Sequence, residues 1–497
     1  MADTSTPGAS ESAPLEAAAG AAGASTLRRD SLSMPEVLAQ SVANMSPTGA
    51  MALLPLLIFV SAGNGTWLSF VIAIVLMVCV GYCAAQFSRR ANSAGSFYVW
   101  VTQGLGPGAG HTAGWSLQLG YVATGVATIL GFAIFGADFL NRVSGGAIAA
   151  DNRLVLVVLF LVDFFVPLAV AIMDMRLSAR TSLTLESISV VLILVLCVAI
   201  WINRGSVFDT GQLSLSGASA GGIVVGVVLA IFAFVGFESA GSLGMEARNP
   251  YRTIGQAILA SSIGVGLFYV VVSYTQVFGF AGTKPGFAKS AAPLPDLANV
   301  VGLNFLAPVM DIAIMLSLFA CTLACINASA RMAFTMAHDG MGVPALTRAH
   351  DDHHTPHVAI WVVAVPMVLV SIVPVLAGTS AVDLTGWVGT VATFGFMLAY
   401  ALVSLAAPVF LSRIGVTDVA VWVVGAIGVL SMAFVFWANW LPQLIPGGVF
   451  PALSGVLVWL PYVFLAWVAI GLVWYLVARA RNPELIRQVG SRFEKVA

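Results

Sequence analysis

Apolar runs alternate along this chain with short segments that carry its charges. The runs can be placed near residues 36 to 62, 66 to 88, 110 to 141, 153 to 173, 180 to 203, 221 to 247, 253 to 281, 303 to 337, 357 to 378, 383 to 412, 418 to 440 and 452 to 480. Each is long enough to cross a roughly 30 Å hydrocarbon core as a helix of about 20 residues. Inside lipid a spanning segment must satisfy its own backbone, so runs of this length read as helices. Residues 419 to 478 are 60 positions without Asp, Glu, Lys or Arg, room for two such crossings. The pattern predicts an all-α polytopic membrane protein of about twelve transmembrane helices.

Composition agrees. Of 497 residues, 59% are apolar and 9% charged, which excludes a water-facing globular surface. The net charge of −1 conceals no acidic or basic domain, so no nucleic-acid partner is implied, and the lipid bilayer is the expected surrounding. Residues 1 to 32 are rich in Ala, Ser, Gly and Pro and are read as a disordered tail, without the basic-then-apolar order of a signal peptide. The first helix opens at Ser33-Met34-Pro35-Glu36, a capping-box signature.

Sorting the basic residues of the loops tests the layout independently, because Lys and Arg favour the cytoplasmic side. With the N-terminus inside, Arg28, Arg29, Arg89, Arg90, Arg176, Arg180, Arg248, Arg252, Arg331, Arg348, Arg413, Arg479, Arg481, Arg487, Arg492 and Lys495 fall inside. Arg142, Arg153, Arg204, Lys284 and Lys289 fall outside. Sixteen against five places both termini in the cytoplasm of a multi-pass protein of the cell membrane.

Two spans are defective as simple helices. In the first, Met45-Ser46-Pro47-Thr48-Gly49-Ala50 interrupts the backbone ladder. The sixth carries Phe232-Ala233-Phe234-Val235-Gly236-Phe237-Glu238-Ser239, a carboxylate beside a glycine in a stretch uncharged since Thr210. Spans 1 and 6 correspond in a five-plus-five division, the pattern of inverted-repeat transporters with a site between discontinuous helices.

The same residues carry a family resemblance. Phe234-Val235-Gly236-Phe237-Glu238-Ser239-Ala240, continuing through Glu246-Ala247-Arg248-Asn249-Pro250 to Arg252-Thr253-Ile254, resembles the sixth-helix signature of amino acid-polyamine-organocation permeases. Ser329-Ala330-Arg331-Met332-Ala333-Phe334 with Met336-Ala337 and Asp339-Gly340 is similar to the end of that family's eighth helix. Gly95-Ser96-Phe97-Tyr98, leading to Gly104-Leu105-Gly106-Pro107 and Gly114-Trp115, resembles its second intracellular segment. Two departures stand out. Ser46-Pro47-Thr48-Gly49-Ala50 replaces the frequent Gly-Ser-Gly of helix 1, and Met245 stands where a second acidic residue usually precedes Glu246.

The resemblance implies a LeuT-type five-plus-five inverted repeat with broken helices 1 and 6. The repeats would occupy residues 33–203 and 204–412, followed by two peripheral helices over 413–480 and a cytoplasmic tail over 481–497. A broken helix exposes N–H groups at the start of its second half and carbonyls at the end of its first. Ser46, Thr48, Gly49 and Ala50 are therefore candidates for a substrate carboxylate, and carbonyls around Phe232, Phe234 and Val235, with Gly236 and Phe237, for an ammonium. By resemblance, Phe232 matches the aromatic gate that closes over substrate, and Glu238 the proton-sensing acidic residue of helix 6.

Ionisable groups at membrane depth are costly and usually face a cavity. Glu238 leads, and Glu186 of span 5 is the second candidate for proton coupling, with an arginine latch as its alternative. Asp163, Asp311, Asp383 and Asp138 lie nearer span ends or face directions the sequence does not fix, and ordinary pairing is expected for each. Cys79, Cys83, Cys197, Cys321 and Cys325 read as packing residues, with neither disulfide nor zinc suggested, and the loop tract His350 to His357 as a solvated segment. Arg331, Arg248 and Arg252 could pair with Glu246 and Asp339 to hold the inner side shut.

No ATP-binding motif or cofactor site is present in the sequence, and no catalytic or metal-ligating set is singled out. The reading is a secondary transporter moving amino acids or related amines, coupled to protons, rather than an enzyme. A polyamine or organic-amine carrier without carboxylate recognition is the alternative within transport. A membrane enzyme, or a sensor or channel on a transporter fold, are the alternatives outside it.

Overall fold

The computed structural model describes residues 31–90, 95–173, 175–284, 286–290, 292–444, 455–484, 486 and 489. The tail over residues 1–30, with Arg28 and Arg29, and the terminal Arg487, Arg492 and Lys495 lie outside them. The described chain is helical, with a single isolated bridge between Leu32 and Ala247.

In order, the helices are α1 (Met34–Met45), α2 (Pro47–Ala62), α3 (Thr66–Ser88), α4 (Phe97–Leu105), α5 (Pro107–Val143), α6 (Arg153–Met173), α7 (Met175–Arg204) and α8 (Ala220–Phe232). After a 3-10 segment, Phe237–Leu243, come α9 (Pro250–Phe280), α10 (Pro293–Val300), α11 (Leu306–His338), α12 (His357–Leu376), α13 (Ala381–Arg413), α14 (Val419–Leu444) and α15 (Leu460–Arg481). Eleven stretches are long and apolar enough to cross a membrane. The first of them, Met34–Ser88, has 55 residues, which at about 1.5 Å per residue is enough for two crossings. The turn at Gly63–Gly65, where Gly63 adopts φ 53°, divides it.

Burial is uneven in an informative way. The richest windows of α5, α11 and α13 are each 72% buried, whereas those of α7 and α15 are 33% and 22% buried. α11 and α13 each pack along α5 in the middle of the molecule, and α5 and α13 carry small residues where they meet. A Cβ on Gly120 would come within 2.9 Å of the Phe396 ring, and one on Gly395 within 2.7 Å of the Ser116 carbonyl. Ser116 Oγ donates to the Gly395 carbonyl at 2.9 Å, closing the same contact. α15 docks on α5 through two tryptophans. Trp115 and Trp467 stack at 4.7 Å, and each indole donates to the other's carbonyl, at 2.8 and 2.9 Å.

The start of α1 follows its sequence signal. The Ser33 amide donates to Glu36 Oε2 at 2.7 Å, while the other carboxylate oxygen pairs with Arg180 at 2.9 Å. Ser31 and Leu32 donate to the Glu246 carbonyl, and Arg248 to that of Leu32, tying the chain before α1 to the segment after the sixth-span break.

Candidate functional site

Both breaks form where the sequence places them. α1 ends at Met45, Ser46 adopts a left-handed conformation with φ 45°, and α2 restarts at Pro47, whose missing N–H leaves one donor fewer to satisfy. A residue with a Cβ pays about 1–2 kcal/mol for that conformation, so tertiary contacts must hold it. They are visible. Ser46 Oγ lies 3.0 Å from Ser317 Oγ of α11, and the Gly49 amide points at the same hydroxyl at 3.4 Å. The carbonyls ending the first half are engaged as well: Asn44 accepts the Cys321 thiol at 3.2 Å, and Met45 faces the Tyr269 hydroxyl at 3.2 Å.

In the sixth span, α8 stops at Phe232, and Gly236 takes φ 97°, reserved in practice for glycine. The carbonyls of Phe232 and Phe234 accept from Val235 and Phe237 at 3.2 and 3.3 Å, so each is already half engaged in a turn. Phe232 is half-buried beside α13, where a Cβ on Gly389 would meet its ring at 3.2 Å. Phe234 points the other way, fully buried edge-on against Tyr269 at 5.2 Å. Val235 and Phe237 are buried, and the Phe237 ring lies 5.2 Å from Tyr400 while its carbonyl accepts from Ser41 at 2.5 Å.

The two breaks meet. Tyr269 of α9 aims its one O–H at the carbonyls of Ala233, 2.7 Å away, and Met45, 3.2 Å away. Asn44 reaches the Gly236 carbonyl at 3.5 Å, and its own side-chain oxygen accepts the Cys325 thiol at 2.9 Å.

Glu238 is fully buried after the break. The Tyr121 hydroxyl of α5 donates to one carboxylate oxygen at 2.6 Å, and Tyr400 of α13 donates to the other. The Tyr400 oxygen in turn accepts the Gly236 amide at 3.0 Å. A carboxylate that accepts two phenolic protons needs no cation, and protonation would add an O–H donor that needs an acceptor of its own beside those phenols. The charge state of Glu238 is thereby tied to the break backbone through Tyr400.

Glu186 is also buried, but the arginine latch is ruled out as its partner. Its carboxylate accepts from Ser317 at 2.8 Å and Ser189 at 3.2 Å, and Arg180 is taken by Glu36. Through Ser317 it reaches Ser46, so it stands one hydroxyl away from the first break. Thr48 is completely buried, and its hydroxyl has no partner. Ala50 is half-buried and bonded into α2, and Gly49 faces Leu318, whose Cδ2 would lie 2.7 Å from an added Cβ. Gly49 thus serves close packing of α2 on α11.

On the arginine-rich side, Arg331 forms a two-pronged pair with Glu246 at 2.8 and 2.9 Å, both side chains 1% exposed. Tyr98 donates to Asp339 at 2.7 Å nearby. Burial and that carboxylate hold the Tyr98 phenol well above its ordinary range, so it remains a donor. Arg142 pairs with Asp138 at 2.7 Å and Asp311 at 3.2 Å, as ordinary pairing would have it. Asp163, buried midway along α6, departs from the expected ordinary pairing: its partner is a threonine instead of a base. The tract from Asp351 to His354 is exposed.

The residues missing from the sequence reading are Asn44, Tyr121, Tyr269, Ser317 and Tyr400. Each is a polar group inside an apolar span, and that was their only available signal. Nothing in the linear order pairs Tyr121 with Tyr400.

A model of the amino acid permease family matches residues 36–485. Among curated proteins, the chain is 27% identical over 315 residues to a branched-chain amino acid permease of Bacillus subtilis, covering 61% of this chain and 66% of that one. It is 28% identical over 377 residues to an uncharacterized transporter of Mycobacterium tuberculosis, covering 75% and 79%. A methylthioribose transporter of Bacillus subtilis is 22% identical over 437 residues, covering 85% and 87%.

Proposed function

The chain belongs to the amino acid permease family, and from that premise we propose that it is a secondary carrier for amino acids with apolar side chains, driven by protons. Substrate binds where the two broken helices meet, residues 33–203 and 204–412 act as inverted repeats, and access alternates between the two sides of the cell membrane, with both termini cytoplasmic.

The observation that carries the site is the convergence of both breaks on Asn44 and Gly236, with the buried, partnerless hydroxyl of Thr48 on the restarting helix. A buried hydroxyl without a partner costs about 1–3 kcal/mol, which a ligand can recover by accepting its proton. Thr48 and the first free amides of α2 hold the carboxylate end, as helix N-termini favour anions, while the Ala50 amide stays with the Ser46 carbonyl. The turn around Phe232 to Gly236 takes the ammonium on its remaining carbonyl lone pairs, and Phe232 closes over the bound molecule. The aliphatic and aromatic surroundings suit an uncharged side chain, in keeping with the branched-chain permease relative.

Coupling rests on Glu238. Opening the site to water favours its charged form and closure its neutral form, so a proton taken on one side can be released on the other. Glu186 acts through Ser317 on the first break. Uptake of labelled leucine into proteoliposomes, with and without an imposed proton gradient, tests this reading. Accumulation that collapses with the gradient is expected, and uptake indifferent to it overturns the coupling. A second reading, a substrate without a carboxylate, is favoured by Ser46-Pro47-Thr48 in place of the glycine-rich break and by the methylthioribose transporter relative. Competition of leucine uptake by amines and neutral sugars at equal concentration decides between them.

A further inference from the structure

A third carboxylate lies buried at membrane depth, away from both breaks. Asp163 is completely buried in the middle of α6. Its Oδ2 lies 2.8 Å from the Thr322 hydroxyl of α11, and its Oδ1 has no partner. Thr322 Oγ1 is itself 2.8 Å from Thr128 Oγ1 of α5.

Among the described residues, the groups facing Asp163 offer no positive charge: α5 brings Thr128, and its Arg142 is paired with Asp138 and Asp311. α11 brings the Cys321 thiol, with Cys325 one turn on. α7 brings Glu186, whose carboxylate is turned to Ser317. α12 carries no Asp, Glu, Lys or Arg over residues 357–376, and its one titratable group, His357, stands at its first residue. An ionised carboxylate with one hydroxyl for company is costly at the centre of a span, and a proton removes that cost. Among the described residues, no group of three or more His, Cys, Asp or Glu side chains gathers there to hold a metal ion.

Thr128 also shares α5 with Tyr121, the phenol that donates to Glu238. They are two helical turns apart, about 10 Å along the axis. Between them Thr124 carries another buried hydroxyl without a partner. Residues three and four apart are neighbours on one helix face, so the sequence 121, 124, 128 forms a polar row along α5.

We propose that Asp163 is a second proton-binding site and that the hydroxyls of Thr322, Thr128, Thr124 and Tyr121 connect it to Glu238. In the transfer, the Asp163 carboxyl gives its proton to Thr322 Oγ1 as Thr322 passes its own to Thr128. Each hydroxyl gains one proton and loses one, with Thr124 handing it on by rotation or through one bridging water. The chain ends with Asp163 ionised and Glu238 protonated; only O–H bonds form and break. The site stands independently of transport, and only the direction of flow rests on the proposed coupling through Glu238.

Infrared difference spectra of the purified full-length protein in lipid, recorded across a pH series in light and heavy water, test this. The wild type should show deuterium-sensitive carbonyl bands of protonated carboxyls. Asp163→Asn should remove one and Glu238→Gln a different one. Thr128→Val should slow deuteration of the Asp163 band. A spectrum unchanged by Asp163→Asn, or a band lost on adding sodium or potassium at constant pH, overturns the site. Unchanged exchange in Thr128→Val overturns the connection. Should Asp163→Asn fail to fold, Thr322→Val serves instead: the band should shift as its hydrogen bond is lost, and an unshifted band counts against the assignment. If transport proves indifferent to protons, the Asp163 band would still be present, so the two failures are distinguishable.

Discussion

The side chain of Asn44, two residues before the first break, lies against the backbone of Gly236 in the second. Its Nδ2 points at the Gly236 carbonyl at 3.5 Å, and a Cβ on Gly236 would come within 2.8 Å of Asn44 Cγ. Two interruptions 190 positions apart in sequence therefore touch through one amide and one missing side chain.

Gly236→Ala is expected to separate them. The residue holds φ 97°, and the new methyl would overlap Asn44. Left-handed strain of about 1–3 kcal/mol should lower the thermal unfolding midpoint in detergent, and uptake should be lost. Normal stability and transport would show that the breaks move apart freely.

Thr48→Val replaces a partnerless hydroxyl by a methyl of equal size. Folding stability should hold or rise slightly, because no protein group loses a partner. If the hydroxyl serves a charged substrate group, KM for uptake should rise about tenfold or more, corresponding to roughly 1.5–3 kcal/mol. An unchanged KM places the carboxylate elsewhere.

Glu238→Gln imitates the protonated side chain permanently, while its amide oxygen can still accept from Tyr121 or Tyr400. Expression and substrate exchange should survive, but the pH dependence of uptake and accumulation against a gradient should disappear. Proteoliposome uptake by both forms over a pH series reads this out. A retained wild-type profile would move the proton role to Glu186.

Breaking the Arg331–Glu246 pair should be severe. With both groups 1% exposed, Glu246→Gln leaves an unbalanced guanidinium in the interior, at a cost of about 3–5 kcal/mol. Arg331→Met combined with Glu246→Met should recover most of the stability in thermal unfolding, while uptake stays impaired if the pair closes the inner side.

The sequence by itself determined the class of this protein. Runs of some 20 apolar residues admit little else in lipid than spanning helices, and Pro47 and Gly236 interrupt two of them by local chemistry, one lacking an N–H and the other a Cβ. Local rules also fixed the Ser33–Glu36 start, and Glu238 was conspicuous because a lone carboxylate in an uncharged stretch demands an explanation. What only the tertiary structure decided is who answers each of these groups. Hydrogen-bond partners at membrane depth come from other helices, and their rotation about the axis is not written in hydropathy. Thus Glu186 turns from any arginine to Ser317, Asp163 finds the Thr322 hydroxyl instead of a base, and Tyr121 and Tyr400, 279 positions apart, close on one carboxylate. The physical reason is that in a bilayer apolar packing tolerates many helix rotations, whereas a buried polar atom accepts only those that bring it a partner.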